Sequence, residues 1–259
     1  MLGNEPRLYE EVLENLKSGN PFALATVVKG AEGAPGKTGF KMLVYPDGRS
    51  SGTVGGGAIE SRVIEEARRS IELRETILLE IDLENLGMLC GGSMAVFIEP
   101  MGFIDCLYLF GGGHIGQAVA NIGQHLGFKI IAVDDRKELL TDEFFPSVVD
   151  TITGDMVATA RNLEIDPERM YVVIATRGHG FDQAILETLL LKPTLPKYLG
   201  MIASRLKARE IKENLFKSGI PEGKLSQVKT PIGIPIGAKT PAEIAISILA
   251  EIIQVKRSG

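Results

Sequence analysis

Two cysteines and three histidines among 259 residues are too few for a disulfide framework or a zinc site of the CxxC type. No apolar run approaches the roughly 20 residues that a membrane-crossing helix needs, so no membrane partner is expected. Basic residues are not in excess. Against 28 Lys and Arg stand 33 Asp and Glu, for a net charge of −5 and a pI near 5.4, which argues against a nucleic-acid backbone as the main partner. Internal repeats and low-complexity tracts are also missing. The opening residues, Met1 to Pro6, lack the basic and then apolar regions of a secretory signal, and a cytoplasmic location is expected. What is present is 44% hydrophobic and 24% charged, the balance of a globular chain large enough for two domains.

The most informative segment runs from Leu107 to Asp134. A short apolar run, Leu107 to Phe110, reads as a buried strand, and three glycines follow at GxGxxG spacing: Gly111, Gly113 and Gly116. A helix pattern and a second apolar run lead to Asp134, about 20 residues on. Gly111 suits a tight turn, Gly113 lets backbone N–H groups approach a diphosphate, and Gly116 lets the helix pack closely on its strand. The helix start supplies unpaired N–H donors and a positive dipole end. The expected product is a nucleotide-binding βαβ unit.

Strands and helices alternate from Cys106 onward, which implies a parallel sheet with helices on both faces. Before it, a helix from Asn4 to Gly19 and strands at 22–28, 41–45, 76–82 and 94–99, with a helix over 58–72, form a smaller set. Pro100-Met101-Gly102 reads as the linker. The fold class is therefore α/β: a small N-terminal α+β domain over 1–100, then a Rossmann-like doubly wound parallel sheet over 101–259. In such sheets ligands sit beyond the carboxyl ends of the strands. The loop of Gly111 to Gly116, Asp134, Thr176 to His179, and Ser204-Arg205 all fall there.

Each candidate has a functional and a plain reading. Asp134 can accept both hydroxyls of an adenosine ribose and repel a 2′-phosphate, favouring NAD, or Asp134 or Asp135 can simply cap the next helix or pair with Arg136. His114 can face a phosphate, or be a solvated turn residue. Thr176, Arg177 and His179 bring a hydroxyl, a guanidinium and an imidazole to a strand end, and Arg205 adds a cation; the plain alternative is a surface loop with helix capping. Ala31 to Thr38 nearly matches the ATP-binding GxxxxGKT loop, but it leads into a strand, not a helix. Gly52-Thr53-Val54-Gly55-Gly56-Gly57 before a helix, with Glu60 one turn in, is a second anion cradle or merely a tight connection. Cys106 reads as a core residue. Cys90, followed by Gly91 and Gly92, sits where backbone N–H groups can lower a thiol pKa and expose sulfur to a soft metal or persulfide, and its plain reading, the better one on these residues alone, is structural packing.

Lys41 to Val44, Gly52 to Gly57, Glu60, Cys90 to Gly92, Gly111 to Gly116, Gly178-His179 and Gly237 to Ala245 together resemble the XdhC/CoxI family, in order and over nearly the whole chain. That family comprises accessory proteins for molybdenum hydroxylases of the xanthine dehydrogenase type. The resemblance implies a maturation factor rather than a catalyst, one that holds molybdenum cofactor (molybdopterin) during sulfuration and passes it to the apoenzyme. It places Gly55, Gly56, Gly57, Glu60, Gly91 and Gly92 at the cofactor, with Cys90 as the catalytic and metal-binding thiol. Many members carry a second cysteine directly after the triple glycine. Here that position is Ala58.

Two functions follow. In the first, the cofactor lies between the domains, Cys90 contacts molybdenum or a transferable sulfur, and the Rossmann loop holds NAD, another nucleotide or the pterin phosphate. The expected partners are a molybdenum hydroxylase apoenzyme, a sulfurase and a second copy of the chain. In the second, the protein is an NAD-dependent oxidoreductase, with His179 as the acid–base group beside a carbonyl. A Tyr-x-x-x-Lys pair is missing, since Ala175 and Ile202 stand four residues after Tyr171 and Tyr198.

Overall fold

The computed structural model describes residues 5–30, 36–83, 92–145 and 149–258. They fall into two compact units, Met1–Ile104 and Asp105–Gly259.

In the first unit, helix α1 (Glu5–Ser18) precedes strand β1 (Phe22–Lys29), and β2 (Lys41–Val44) and β3 (Ser50–Gly52) form a hairpin. The turn between them follows from Pro46-Asp47-Gly48, where Gly48 takes φ +87°, a region that favours glycine. Helix α2 (Gly57–Leu73), β4 (Ile77–Asp82) and β5 (Ser93–Met101) complete an antiparallel sheet of order β3-β2-β1-β5-β4. Alternation along β1 divides the packing. Ala23, Ala25 and Val27 face the α2 side with Ile59, Val63 and Ala67, whereas Phe22 faces the α1 side with Leu8 and Leu43.

The expected linker at residues 100–102 is a correction: β5 continues through Pro100 to Met101. Beyond Ile98, β5 has left β4 and pairs only with β1, so Pro100 lies on a local edge where its missing N–H costs no ladder bond. The compact units accordingly divide between Ile104 and Asp105, a few residues past the boundary expected from the sequence.

The second unit alternates strand and helix: β6 (Cys106–Phe110), α3 (His114–Gly123), β7 (Lys129–Asp134), β8 (Asp150–Thr153), α4 (Met156–Asn162), β9 (Met170–Ile174), α5 (His179–Leu190), β10 (Tyr198–Met201), α6 (Arg205–Lys217), α7 (Glu222–Leu225), β11 (Val228–Lys229) and α8 (Pro241–Arg257). All pairings are parallel, in the order β11-β10-β9-β6-β7-β8. The chain winds outward from β6 in both directions, so the order reverses between β6 and β9, the place where ligands of doubly wound sheets bind beyond the carboxyl ends. Helices cover both faces. Leu107 and Leu109 pack with Val119 of α3 and Ile248 and Leu249 of α8, while Phe110 packs with Ile185 and Leu189 of α5 and Ile211 of α6. The mixed α/β architecture with a Rossmann-type second unit is the one the alternating pattern implied. No helix among the described residues is long and apolar enough to cross a membrane.

The two-residue β11, short α7 and polar β3 escape sequence reading, because none spans a full period of hydrophobic pattern.

Candidate functional site

The loop from Gly111 to Gly116 leaves the end of β6 beside the crevice. Gly111 adopts φ +121°, and a Cβ there would run into the Ala175 carbonyl at the end of β9. A Cβ on Gly116 would strike the Gly111 carbonyl, so α3 and β6 approach as closely as backbone allows. Gly113 differs: nothing lies within 4 Å of where its Cβ would be. It is the N-cap of α3 and offers no side-chain hydrogen bond to the helix start. The first-turn N–H groups of α3 thus have an open approach and no capping side chain. His114, the first residue of α3, is exposed beside them. Gln117 donates from Nε2 to the Gly112 carbonyl at 2.9 Å and braces the loop.

Asp134, at the end of β7, is completely buried. Its Oδ2 accepts from the Gly112 N–H at 2.7 Å and from Arg136 Nη2 at 2.9 Å; its Oδ1 accepts from Arg136 N and Nε, both at 2.9 Å. The roughly four lone-pair positions of a carboxylate are therefore taken within the protein. This is the Arg136 pairing that the sequence left open, extended to the glycine loop. Burial alone would push the Asp134 carboxyl up, but the Arg136 side chain and the backbone donors outweigh it and hold the group at about 2. Ribose hydroxyls reach this carboxylate only by displacing Arg136.

The next residue is the exposed acid. Asp135 Oδ2 accepts from Arg177 Nη2 at 2.8 Å, and its Oδ1 lies 3.9 Å from Arg136 Nε. Arg177 comes from the loop after β9, so this ion pair brings together two of the predicted groups, the β7 end and the Thr176–His179 segment. The guanidinium also rests 5.5 Å from the centre of the Phe181 ring. Thr176 has a local task. Its Oγ donates to Asp182 Oδ1 at 2.6 Å and its N–H donates to the same oxygen at 3.0 Å, fixing the entry to α5. His179 is the first residue of α5, whose N-cap is Gly178. Arg205 opens α6, beyond β10 and two strands from β6. It lines a hollow of about 450 Å³ with Arg209, Lys212, Phe216, Thr230 and Pro231.

The glycine-rich loop of the first unit has a similar logic. Gly52 and Gly55 take φ +85° and +144°, with the Lys41 carbonyl and the Gly36 backbone where a Cβ would stand. Gly56 is the N-cap of α2, again without a side-chain cap bond, and the space around Gly57 is open. Here the loop is tied to its own helix: Thr53 Oγ donates to Glu60 Oε1 at 2.5 Å, and the Gly55 N–H donates to Thr53 Oγ at 3.2 Å. Glu60 is thus drawn back toward the loop, within the first turn of α2.

Cys90 and Gly91 lie outside the described residues, and Gly92 is exposed beside the start of β5, its carbonyl accepting from the Leu83 N–H at 3.0 Å. Cys106 is half-buried on β6, where burial pushes its thiol up and away from thiolate chemistry. Among the described residues no group of three or more His, Cys, Asp and Glu side chains is arranged to hold a metal ion. Sequence reading gave Asp135 and Arg136 only a capping or pairing role and passed over Phe181; the signal was the run Asp134-Asp135-Arg136 at a strand end, where Asp134 closes the buried strand and Asp135 falls just past it.

These features define a Rossmann-type unit with a glycine-rich loop at a helix start, preceded by a smaller antiparallel unit with a glycine-rich loop of its own. Residues 107–252 match the family model of the XdhC Rossmann domain, and residues 15–82 match that of the XdhC and CoxI family. The chain belongs to the XdhC/CoxI family. It is 36% identical over 245 residues to the uncharacterized protein YqeB of Escherichia coli K12, covering 92% of this chain and 44% of that one. To a Bacillus subtilis protein described as a probable xanthine dehydrogenase subunit, it is 32% identical over 162 residues, 62% of this chain and 46% of that one. The chain thus spans less than half the length of these relatives. A crystal structure described as that of a xanthine dehydrogenase from Bacillus halodurans has the same fold, with a TM-score of 0.53 at 22% identity over 96% of this chain and 95% of that one.

Proposed function

We propose that this protein is an accessory factor for a molybdenum hydroxylase of the xanthine dehydrogenase type, taking molybdenum cofactor as cargo, supporting its sulfuration and delivering it to the apoenzyme. The observation that carries this reading is the pair of open helix starts. The helices α2 and α3 each begin on a glycine N-cap with unobstructed space at Gly57 or Gly113 and no capping side chain. The helices α4, α6 and α8 are capped instead by Asp155, Ser204 and Thr240, while α5 also starts on a glycine, Gly178, but with the Phe181 ring against it. An uncapped N-terminus with room in front of it suits a phosphate, and the cargo carries one on its pterin.

In this reading Gly55, Gly56 and Gly57 form one cradle and Gly111, Gly113 and His114 the other. Glu60 orders the first and Asp134 the second. Cys90, with Gly91 and Gly92, supplies the soft ligand for molybdenum or its transferable sulfur. The second cradle takes the pterin phosphate or a nucleotide such as NAD that regulates handover. Client apoenzyme and sulfurase are the partners, and the factor works as a cytoplasmic homodimer, which light scattering on the purified protein checks. The main test is anaerobic purification of wild type and Cys90→Ala, with molybdenum and pterin measured after denaturation. Cargo with the wild type and less with the variant supports the reading; none with either counts heavily against it.

The strand-order reversal beside a dinucleotide-type loop favours a second reading, an NAD-dependent oxidoreductase. A substrate screen at the NADH absorbance tests it, and rapid turnover of a small alcohol or hydroxy acid would displace the first reading.

A further inference from the structure

Asp135 follows β7 and Arg177 follows β9, and these are the two strands that flank β6. Their 2.8 Å ion pair therefore spans the carboxyl end of β6, where the glycine loop begins and where the crevice of a doubly wound sheet lies. The pair is accessible: the Arg177 side chain is 45% exposed and that of Asp135 is 32% exposed. The Asp134–Arg136 pair beside it is of another kind, built on a carboxylate with no exposure at all. Asp135 lies between two guanidiniums, Arg177 at 2.8 Å and Arg136 at 3.9 Å. Two cations around one oxyanion are the arrangement that binds a phosphate, and in this structure a carboxylate fills it. The Phe181 ring, 5.5 Å from the Arg177 guanidinium, adds a cation–π contact to the same group.

We propose that Arg177 is an anion-binding residue of the glycine-loop crevice, and that Asp135 occupies its guanidinium until a phosphate-bearing ligand takes the carboxylate's place. This rests on the reading that the second cradle binds a phosphate group. A partly exposed ion pair is weak in water, whereas a phosphate offers a higher charge and three oxygens to the same donors and to the α3 amides. Exchange of partners is then favourable. Displaced from Arg177, Asp135 can turn outward to solvent, which clears the end of β6 for the ligand. The shared chemistry is the phosphate; its source is a nucleoside diphosphate or the phosphomonoester of a pterin.

Calorimetric titration with two probes, ADP and inorganic phosphate, separates these sources. The proteins are wild type, Asp135→Asn, Arg177→Met, the double variant and Gly113→Val, each checked for fold by circular dichroism. Asp135→Asn is expected to bind the preferred probe about fivefold tighter and Arg177→Met about tenfold weaker. In the double variant the gain from Asp135→Asn should vanish, since that gain works through Arg177. Equal gains with and without Arg177 would mean that only a repelling charge had been removed, and the proposal falls. Binding abolished by Gly113→Val but indifferent to Arg177 overturns this proposal and leaves the cradle reading intact. If neither probe binds wild type or Asp135→Asn at millimolar concentration, cradle and latch fail together.

Discussion

The two glycine loops, 52–57 and 111–116, solve the same backbone problem and end in opposite electrostatic settings. In each, two glycines are required, by neighbouring backbone at Gly52, Gly111 and Gly116 and by a φ of +144° at Gly55, and one stays open at a helix start, Gly57 or Gly113. The first loop closes on itself: Thr53 and Glu60 are joined by a hydrogen bond, leaving an acid in the first turn of α2. That carboxylate already complements the helix dipole. The second loop is tied from outside, by Asp134 reaching over from β7, and the basic groups of Arg136 and Arg177 stand around it. A glycine-rich turn before a helix therefore does not by itself set the charge around the helix start. In the reading proposed above the loop of the second unit is the one that takes a phosphate, because its acid is engaged by Arg136 and the loop amide and Arg177 stands near it.

The strongest way to break this comparison is Gly111→Ala. A Cβ there meets the Ala175 carbonyl at a φ that L-residues rarely adopt, and a loss of at least about 3 kcal/mol is expected in urea unfolding. Gly52→Ala, also at positive φ but near the edge of its sheet, should cost less, about 1–2 kcal/mol. If both cost the same, the two loops are equally constrained and the contrast is lost.

Asp134 sharpens the comparison by pH. Its carboxyl sits at about 2 in the folded protein against an ordinary 3.8, so the folded state binds the proton more weakly. The resulting stability, about 2 kcal/mol, is fully present above roughly pH 5 and disappears as pH falls through 4 toward 2. Asp134→Asn should flatten this part of the stability–pH curve. A variant as acid-sensitive as wild type would show that the Arg136 and Gly112 bonds do not set the group's pKa.

Smaller effects test the first loop and the open glycines. Thr53→Val removes one hydroxyl that joins Gly55 to Glu60, and about 0.5–1 kcal/mol is expected. Gly57→Ala and Gly113→Ala place a methyl in open space, so unfolding should change by less than about 1 kcal/mol. Their effect belongs in binding: Gly113→Ala should weaken phosphate and ADP titrations, and Gly57→Ala should leave them unchanged. A matching loss at Gly57 would put the two cradles on the same footing.

Much of this organisation was written in local pattern. The GxGxxG spacing after Leu107–Phe110 fixed a strand, a turn and a helix start, since a two- or four-residue repeat shows burial before any partner is known. The doubly wound sheet followed from alternation. Pro100 misled because proline marks a break only where its N–H would be needed, and β4 no longer pairs with β5 there. The candidate site was legible at its glycines and less so at its charges. Asp134 and Asp135 are adjacent and chemically identical in sequence, but Asp134 is the last residue of β7, a strand buried on both faces, whereas Asp135 lies just beyond its end and is exposed.

By itself the sequence determined where backbone must come close, because only glycine tolerates those contacts, and which runs are buried, because hydrophobic period is a local property. The tertiary structure alone decided which charges meet: Arg177 lies 42 residues from Asp135, and only the parallel order that places β6 between β7 and β9 brings them together.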